Sequence, residues 1–75
     1  SGVLAQTTLG GLGFVFLTSP DGRVLSHPDP SAVGKQLSDL FDGQAPRIKE
    51  EPQAVRIGGA RRIVTFVPAS DNPTI

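Results

Sequence analysis

Seventy-five residues leave room for one small domain, and a chain of that size buries only about 60% of the surface it exposes unfolded. Hydrophobic residues make up 37% and charged residues 19%, a globular rather than a disordered mix. Seven basic and seven acidic residues cancel, which argues against nucleic-acid binding through phosphate neutralisation and against a polybasic membrane patch. The absence of cysteine removes disulfides, thiolate metal ligands and cysteine nucleophiles together. The chain carries no Met and reads as a piece of something larger. Its longest apolar run, Phe14 to Leu17, is too short to span a bilayer, and no signal-peptide pattern is present. Membrane segments of a parent protein would lie outside these residues.

In chain order, Leu4 to Leu9 reads as the tail of a helix ended by Gly10-Gly11. Leu12 to Thr18 is the strongest strand signal, and its unbroken apolar run predicts a central strand covered on both faces. Ser19-Pro20-Asp21-Gly22 is a turn, and Arg23 to His27 returns as a second strand. The expected register sets Thr18 opposite Arg23, Phe16 opposite Leu25 and Phe14 opposite His27. Asp29 suits an N-cap and Pro30 a first helical position, so Ser31 to Val33 would make one turn closed by Gly34. Leu37, Leu40 and Phe41 predict a second short helix, and Gln44 to Gln53 reads as a loop. Ala54 to Ile57 and Ala60 to Val67 flank Gly58-Gly59, a two-residue hairpin turn. That register puts Val55, Ile57, Arg62, Val64 and Phe66 on one face, and sets Arg56 against Arg61 on the other. Ala69 to Ile75 is a polar tail. The plan is α+β, an antiparallel sheet with short helices on one side.

The stretch from Gly13 to Pro30, followed by Val33-Gly34-Lys35 and Leu37, resembles the Cache family. These are PAS-like extracytoplasmic sensor domains of bacterial chemoreceptors, histidine kinases and cyclic-di-GMP enzymes. The shared pattern is an aromatic strand, the Asp21-Gly22 turn, a strand ending in His27-Pro28, and a downstream Val-Gly-Lys containing Gly34. Thr65-Phe66-Val67-Pro68 is similar to the family's later strand ending in Pro. The resemblance runs from Leu4 to Ala69 and is nearest to the membrane-proximal module of double-Cache chemoreceptors, though a single Cache domain is compatible. It implies one partial PAS-like module over residues 1–75, with residues 1–11 as the end of a linking helix. The family has one more strand after the Pro, lying between the two hairpins. This chain reads as truncated before it, which would leave two strands with open edges. Those edges would pair with each other or recruit a second chain as a homodimer.

Candidate chemistry is sparse. His27 is the only histidine, too little for a metal site; it reads as a structural corner, a ligand contact, or an axial haem ligand in a cytosolic PAS-type cofactor sensor. Gly10-Gly11-Leu12-Gly13 precedes a strand rather than a helix and lacks the phosphate-loop Lys-Ser/Thr. No two carboxylates share a face, and no serine sits in a nucleophile elbow, so no catalytic residues, metal or cofactor are expected. Arg61-Arg62 is either a solvated hairpin pair or, if Arg62 faces inward among apolar residues, a charge seeking an anion. The resemblance implies small anionic ligands such as amino acids or organic acids. It makes Phe14, Phe16, His27, Arg62 and Phe66 the candidate contacts. The function it implies is a periplasmic sensory input module of an inner-membrane chemoreceptor, attached to the membrane only through flanking segments. The alternative is a ligand-free spacer or dimerisation module of a receptor, histidine kinase or diguanylate cyclase.

Overall fold

The computed structural model describes residues 2–9 and 12–69. Five strands follow in order: β1 (Val3–Leu9), β2 (Leu12–Thr18), β3 (Val24–Ser26), β4 (Gln53–Ile57) and β5 (Ala60–Pro68). They form one antiparallel sheet in the order β3-β2-β1-β5-β4. Among the described residues helix is limited to two single 3-10 turns, Pro30–Ala32 and Leu37–Asp39, so the α+β expectation survives only in this sheet-dominated form.

The largest correction concerns the first residues. Val3–Leu9 is not a helix tail but the central strand, pairing along β2 on one side and β5 on the other. It occupies the place between the two hairpins that was expected to be empty. The edges of β2 and β5 that would have been open are therefore paired within the chain. The reason lies in its inward residues. Ala5 is fully buried, with Phe16 opposite it on β2 and Phe66 opposite it on β5. A small side chain there leaves room for two rings. Thr7, also buried, donates its hydroxyl to the Phe14 carbonyl (3.2 Å), so its burial leaves no polar group unmet. Gly10 and Gly11, expected as the helix stop, and the tail beyond Ala69 lie outside the described residues.

The second hairpin forms as expected. Gly58 (φ +57°) and Gly59 (φ +81°) take the two positive-φ positions of a two-residue turn. Arg56 pairs with Arg61 and Val55 with Arg62. The like charges on Arg56 and Arg61 are both exposed, and Arg56 Nη2 donates to the Gly59 carbonyl (3.0 Å). The first hairpin is offset from the expected register. Thr18 faces Val24 rather than Arg23, and Leu17 faces Ser26 across an irregularity. The turn itself is the cause: Ser19 N–H donates to the Arg23 carbonyl (2.8 Å), which uses Arg23 to close the turn.

Residues 27–52 cross one face of the sheet. Their start is tied to the edge of β3, where Val24 N–H donates to the Lys35 carbonyl and Gly34 N–H to the Val24 carbonyl (both 2.8 Å). Gly34 turns the chain there at φ +89°. Further along, Asp42 N–H donates to the Arg56 carbonyl (2.8 Å), and its carboxylate accepts from Gly59 N–H (2.7 Å). The Gln53 side chain brackets Arg47, accepting from its N–H and donating to its carbonyl. The expected helix over Leu37 to Phe41 shortens to Leu37–Asp39, with Leu37 and Phe41 still buried.

Leu37 and Phe41 meet Ala5, Phe16, Val24, Val55, Val64 and Phe66 in the core. The other face of the sheet is left uncovered by the described residues: Val15 is 47% exposed and Ile63 40%. The expectation that β2 is covered on both faces therefore fails, because the one layer that the described residues add lies on one side. Among the described residues no helix is long and apolar enough to cross a membrane.

Candidate functional site

Between the sheet and the crossing segment lies a cavity of about 190 Å³, lined by β2, the His27 corner, the first 3-10 turn and the Leu40-Phe41 step. Phe14 and Phe16 alternate inward along β2 and form one wall. The His27 ring leans on both, its centroid 5.2 Å from Phe14 and 5.1 Å from Phe16. Ile57, Leu40 and Phe41 close the apolar side. Polar groups gather at the opposite rim, where Asp29, Ser31 and Lys35 line the opening. A wider depression of about 440 Å³ over Pro20–Gly22 and Pro46–Ile48 is a shallow groove open to solvent.

Each rim residue is held by local chemistry. His27 Nδ1 accepts from Asp29 N–H (2.9 Å). Asp29 Oδ1 accepts from Ser31 N–H (3.0 Å) and Ser31 Oγ–H (2.9 Å), capping the 3-10 turn that begins at Pro30. The Ser31 backbone N–H, then its hydroxyl, hold the Asp29 carboxyl below its ordinary value of 3.8, with smaller help from the nearby His27 and Lys35. Asp21 is lowered likewise, first by the Ser19 hydroxyl that donates to it.

These carboxyls are fully exposed, so their stabilising effect is modest and screened. A depressed carboxyl contributes stability that is present above pH 3.8 and is lost as the pH falls through its folded-state value. In the Ser31→Ala protein, Asp29 keeps only the backbone donor, and its midpoint rises toward 3.8. A carboxyl-carbon NMR titration measures this, and an unchanged midpoint refutes the role given to the hydroxyl.

Of the residues expected from the sequence, Phe14, Phe16 and His27 come together in the cavity wall. Arg62 does face inward, but it stands behind Phe14, its guanidinium carbon 5.5 Å from that ring's centroid, rather than lining the cavity. Its Nε is buried with no hydrogen-bond partner among the described residues. Phe66 is only 1% exposed and belongs to the core; it borders a separate groove with Val3, Ile48 and Pro68. Of the signature residues, Asp21 and Gly22 (φ +92°) make the β2–β3 turn, Pro28 and Gly34 bracket the first 3-10 turn, and Pro68 pairs with Val3.

Asp29, Ser31, Lys35, Leu40, Phe41 and Ile57 were not singled out as site residues. The available signal was the distance from His27 to Val33-Gly34-Lys35: a turn closed by a positive-φ glycine brings Lys35 back beside the corner it left.

No family model matches the chain, and no solved structure matches it. Curated relatives do. The chain is 36% identical over 72 residues to methyl-accepting chemotaxis protein McpG of Pseudomonas putida, covering 96% of this chain and 12% of that protein. It is 36% identical over 66 residues to methyl-accepting chemotaxis protein PctB of Pseudomonas aeruginosa, covering 88% and 10%. It is 31% identical over 72 residues to methyl-accepting chemotaxis protein McpA of Pseudomonas putida, covering 96% and 11%. The chain thus spans about a tenth of the length of the relatives it matches. Nearly all of it is similar to one segment of methyl-accepting chemotaxis receptors.

Proposed function

We propose that the chain is a Cache-type, PAS-like sensory input module of a bacterial transmembrane chemoreceptor, lying on the periplasmic side of the inner membrane. It performs no catalysis. The similarity to chemotaxis receptors supports the setting, and the observation that carries the sensing role is the aromatic-walled cavity with Lys35 at its rim. Its size suits a short amino acid or organic acid. The apolar part of such a ligand would lie against Phe14, Phe16 and Phe41, with its carboxylate toward the Lys35 ammonium. Asp29 stands beside Lys35 and would meet the ammonium of an amino acid. Arg62 reinforces the positive field from behind Phe14.

A ligand in this position touches both the sheet and the crossing segment. It would favour one packing of the two over another, and that differential affinity is what a receptor can transmit.

Calorimetric titration with a panel of amino acids and short organic acids tests the reading. Binding of at least one is expected, with Lys35→Met weakening it about ten-fold, as for loss of one charge-assisted hydrogen bond. A folded protein that binds none of them removes direct sensing. The second reading, a ligand-free spacer or dimerisation module, is favoured by the uncovered apolar sheet face at Val15, Leu25 and Ile63. Sedimentation equilibrium separates the two.

A further inference from the structure

The hydrogen bond from Asp29 N–H to His27 Nδ1 (2.9 Å) fixes the chemistry of that ring. A nitrogen that accepts carries no proton, so the neutral ring holds its proton on Nε2. Adding a second proton turns Nδ1 into a donor facing another donor. The contact cannot survive that change. A replacement acceptor is close by. Asp29 uses Oδ1 for both Ser31 bonds, and Oδ2 takes part in no hydrogen bond among the described residues. Neutral and protonated His27 therefore call for different arrangements of the same corner.

The surroundings make this change matter. Pro28 and Pro30 fix φ on either side of Asp29, so the corner cannot absorb a rotation of the ring by local backbone give. The ring also rests on Phe14 and Phe16, and moving it reshapes the cavity wall. The charged groups around it are Asp29 and Lys35 on the crossing segment and Arg62 on β5, set behind Phe14. The neighbours contributed by β2, β4 and the Leu40-Phe41 step are apolar. Among the described residues Asp29 is thus the one anion beside a protonated ring, while Lys35 and Arg62 repel it.

We propose that His27 is a proton-operated latch on the crossing segment. Deprotonated, it holds the Asp29 amide and keeps the cavity wall in place. Protonated, it drops the amide and turns toward the Asp29 carboxylate, loosening the start of the segment. The latch answers to proton binding at the ring whether or not the cavity is filled.

NMR on the unliganded protein tests this. Imidazole nitrogen shifts report which nitrogen is protonated, and amide exchange, corrected for its intrinsic pH dependence, reports the latch. As the ring protonates, protection of the Asp29 amide is expected to fall about five-fold, as for loss of one ordinary hydrogen bond. The Ser31 amide, held by Asp29 Oδ1, keeps its protection over the same range. In His27→Asn, the side-chain oxygen stands where Nδ1 stood and accepts from the same amide at every pH. Its Asp29 protection is expected to be flat. Three results overturn the proposal: wild-type protection that ignores ring protonation, a neutral ring protonated on Nδ1, or a His27→Asn profile that follows the wild type. If His27→Asn does not fold, the first two remain decisive on the wild-type chain.

Discussion

Phe66→Ala is expected to lose about 3–5 kcal/mol of stability, the cost of emptying a fully packed aromatic site. A domain of 75 residues holds roughly 4–11 kcal/mol in total, so this one change removes much of the margin. The reason is the arrangement across the three middle strands. Phe16 and Phe66 sit on either side of Ala5, all three nearly inaccessible to water. Ala5 is too small to fill the space the ring leaves, and its two neighbours on β5, Val64 and Pro68, are held in register by the ladder. The chain has no Trp or Tyr, so urea unfolding is best followed by far-ultraviolet circular dichroism. Ile63→Ala on the uncovered face is the control, with an expected cost below about 1 kcal/mol. Equal costs for the two would mean that the faces of β5 are assigned the wrong way round.

The second large effect is expected from Gln6→Pro. Gln6 is exposed, and its backbone pairs with Val15 on β2 and Thr65 on β5. Its side chain contributes nothing to the core, so the substitution acts on the backbone alone. Proline removes an N–H and places a ring where a neighbouring strand must approach, which sheets tolerate only at edges. In a central strand the cost is on the order of 3 kcal/mol or more, and loss of a cooperative melting transition is the expected outcome. Gln6→Thr, a better strand former, should melt at or above the wild-type temperature. A Gln6→Pro protein that melts like the wild type would show that the first residues lie outside the sheet.

That position was the hardest to see in the sequence. Central strands usually announce themselves by large apolar side chains, as Phe14, Val15, Phe16 and Leu17 do in β2. The strand from Val3 to Leu9 turns Ala5 and Thr7 inward instead, because the rings of its neighbours already fill that layer. What remains visible, Val3, Leu4 and Leu9 ahead of Gly10-Gly11, lacks strand alternation and reads as a helix tail with a glycine stop. The β4–β5 hairpin was legible to within one residue at its outer ends, since a Gly-Gly step fixes both turn type and register, and alternation then assigns the faces. The β2–β3 hairpin was legible only in outline. Its turn recruits Arg23, which no residue preference signals.

The cavity was half legible for a related reason. Phe14 and Phe16 point inward by strand alternation, and His27 follows them at a corner set by prolines. The opposite wall comes from 3-10 turns and irregular chain, whose side-chain directions follow no period. Lys35 stands out in the sequence only as part of the Val-Gly-Lys motif, although the backbone places it at the rim. The expected register does put Arg62 on the same face as Val64 and Phe66. That it would stop behind an aromatic ring depended on two strands meeting through β1, which the sequence concealed.

Placing β1 in the middle also fixes how the module answers to force. Val3 lies directly beside Pro68, and Ala69 N–H donates to the Gly2 carbonyl at 2.9 Å. Entry and exit of the fold are therefore neighbours at one pole. Tension drawing them apart would peel β1 from β5 one bridge at a time, instead of loading the whole row at once. Such a joint yields at lower load than a row whose bridges must all break together.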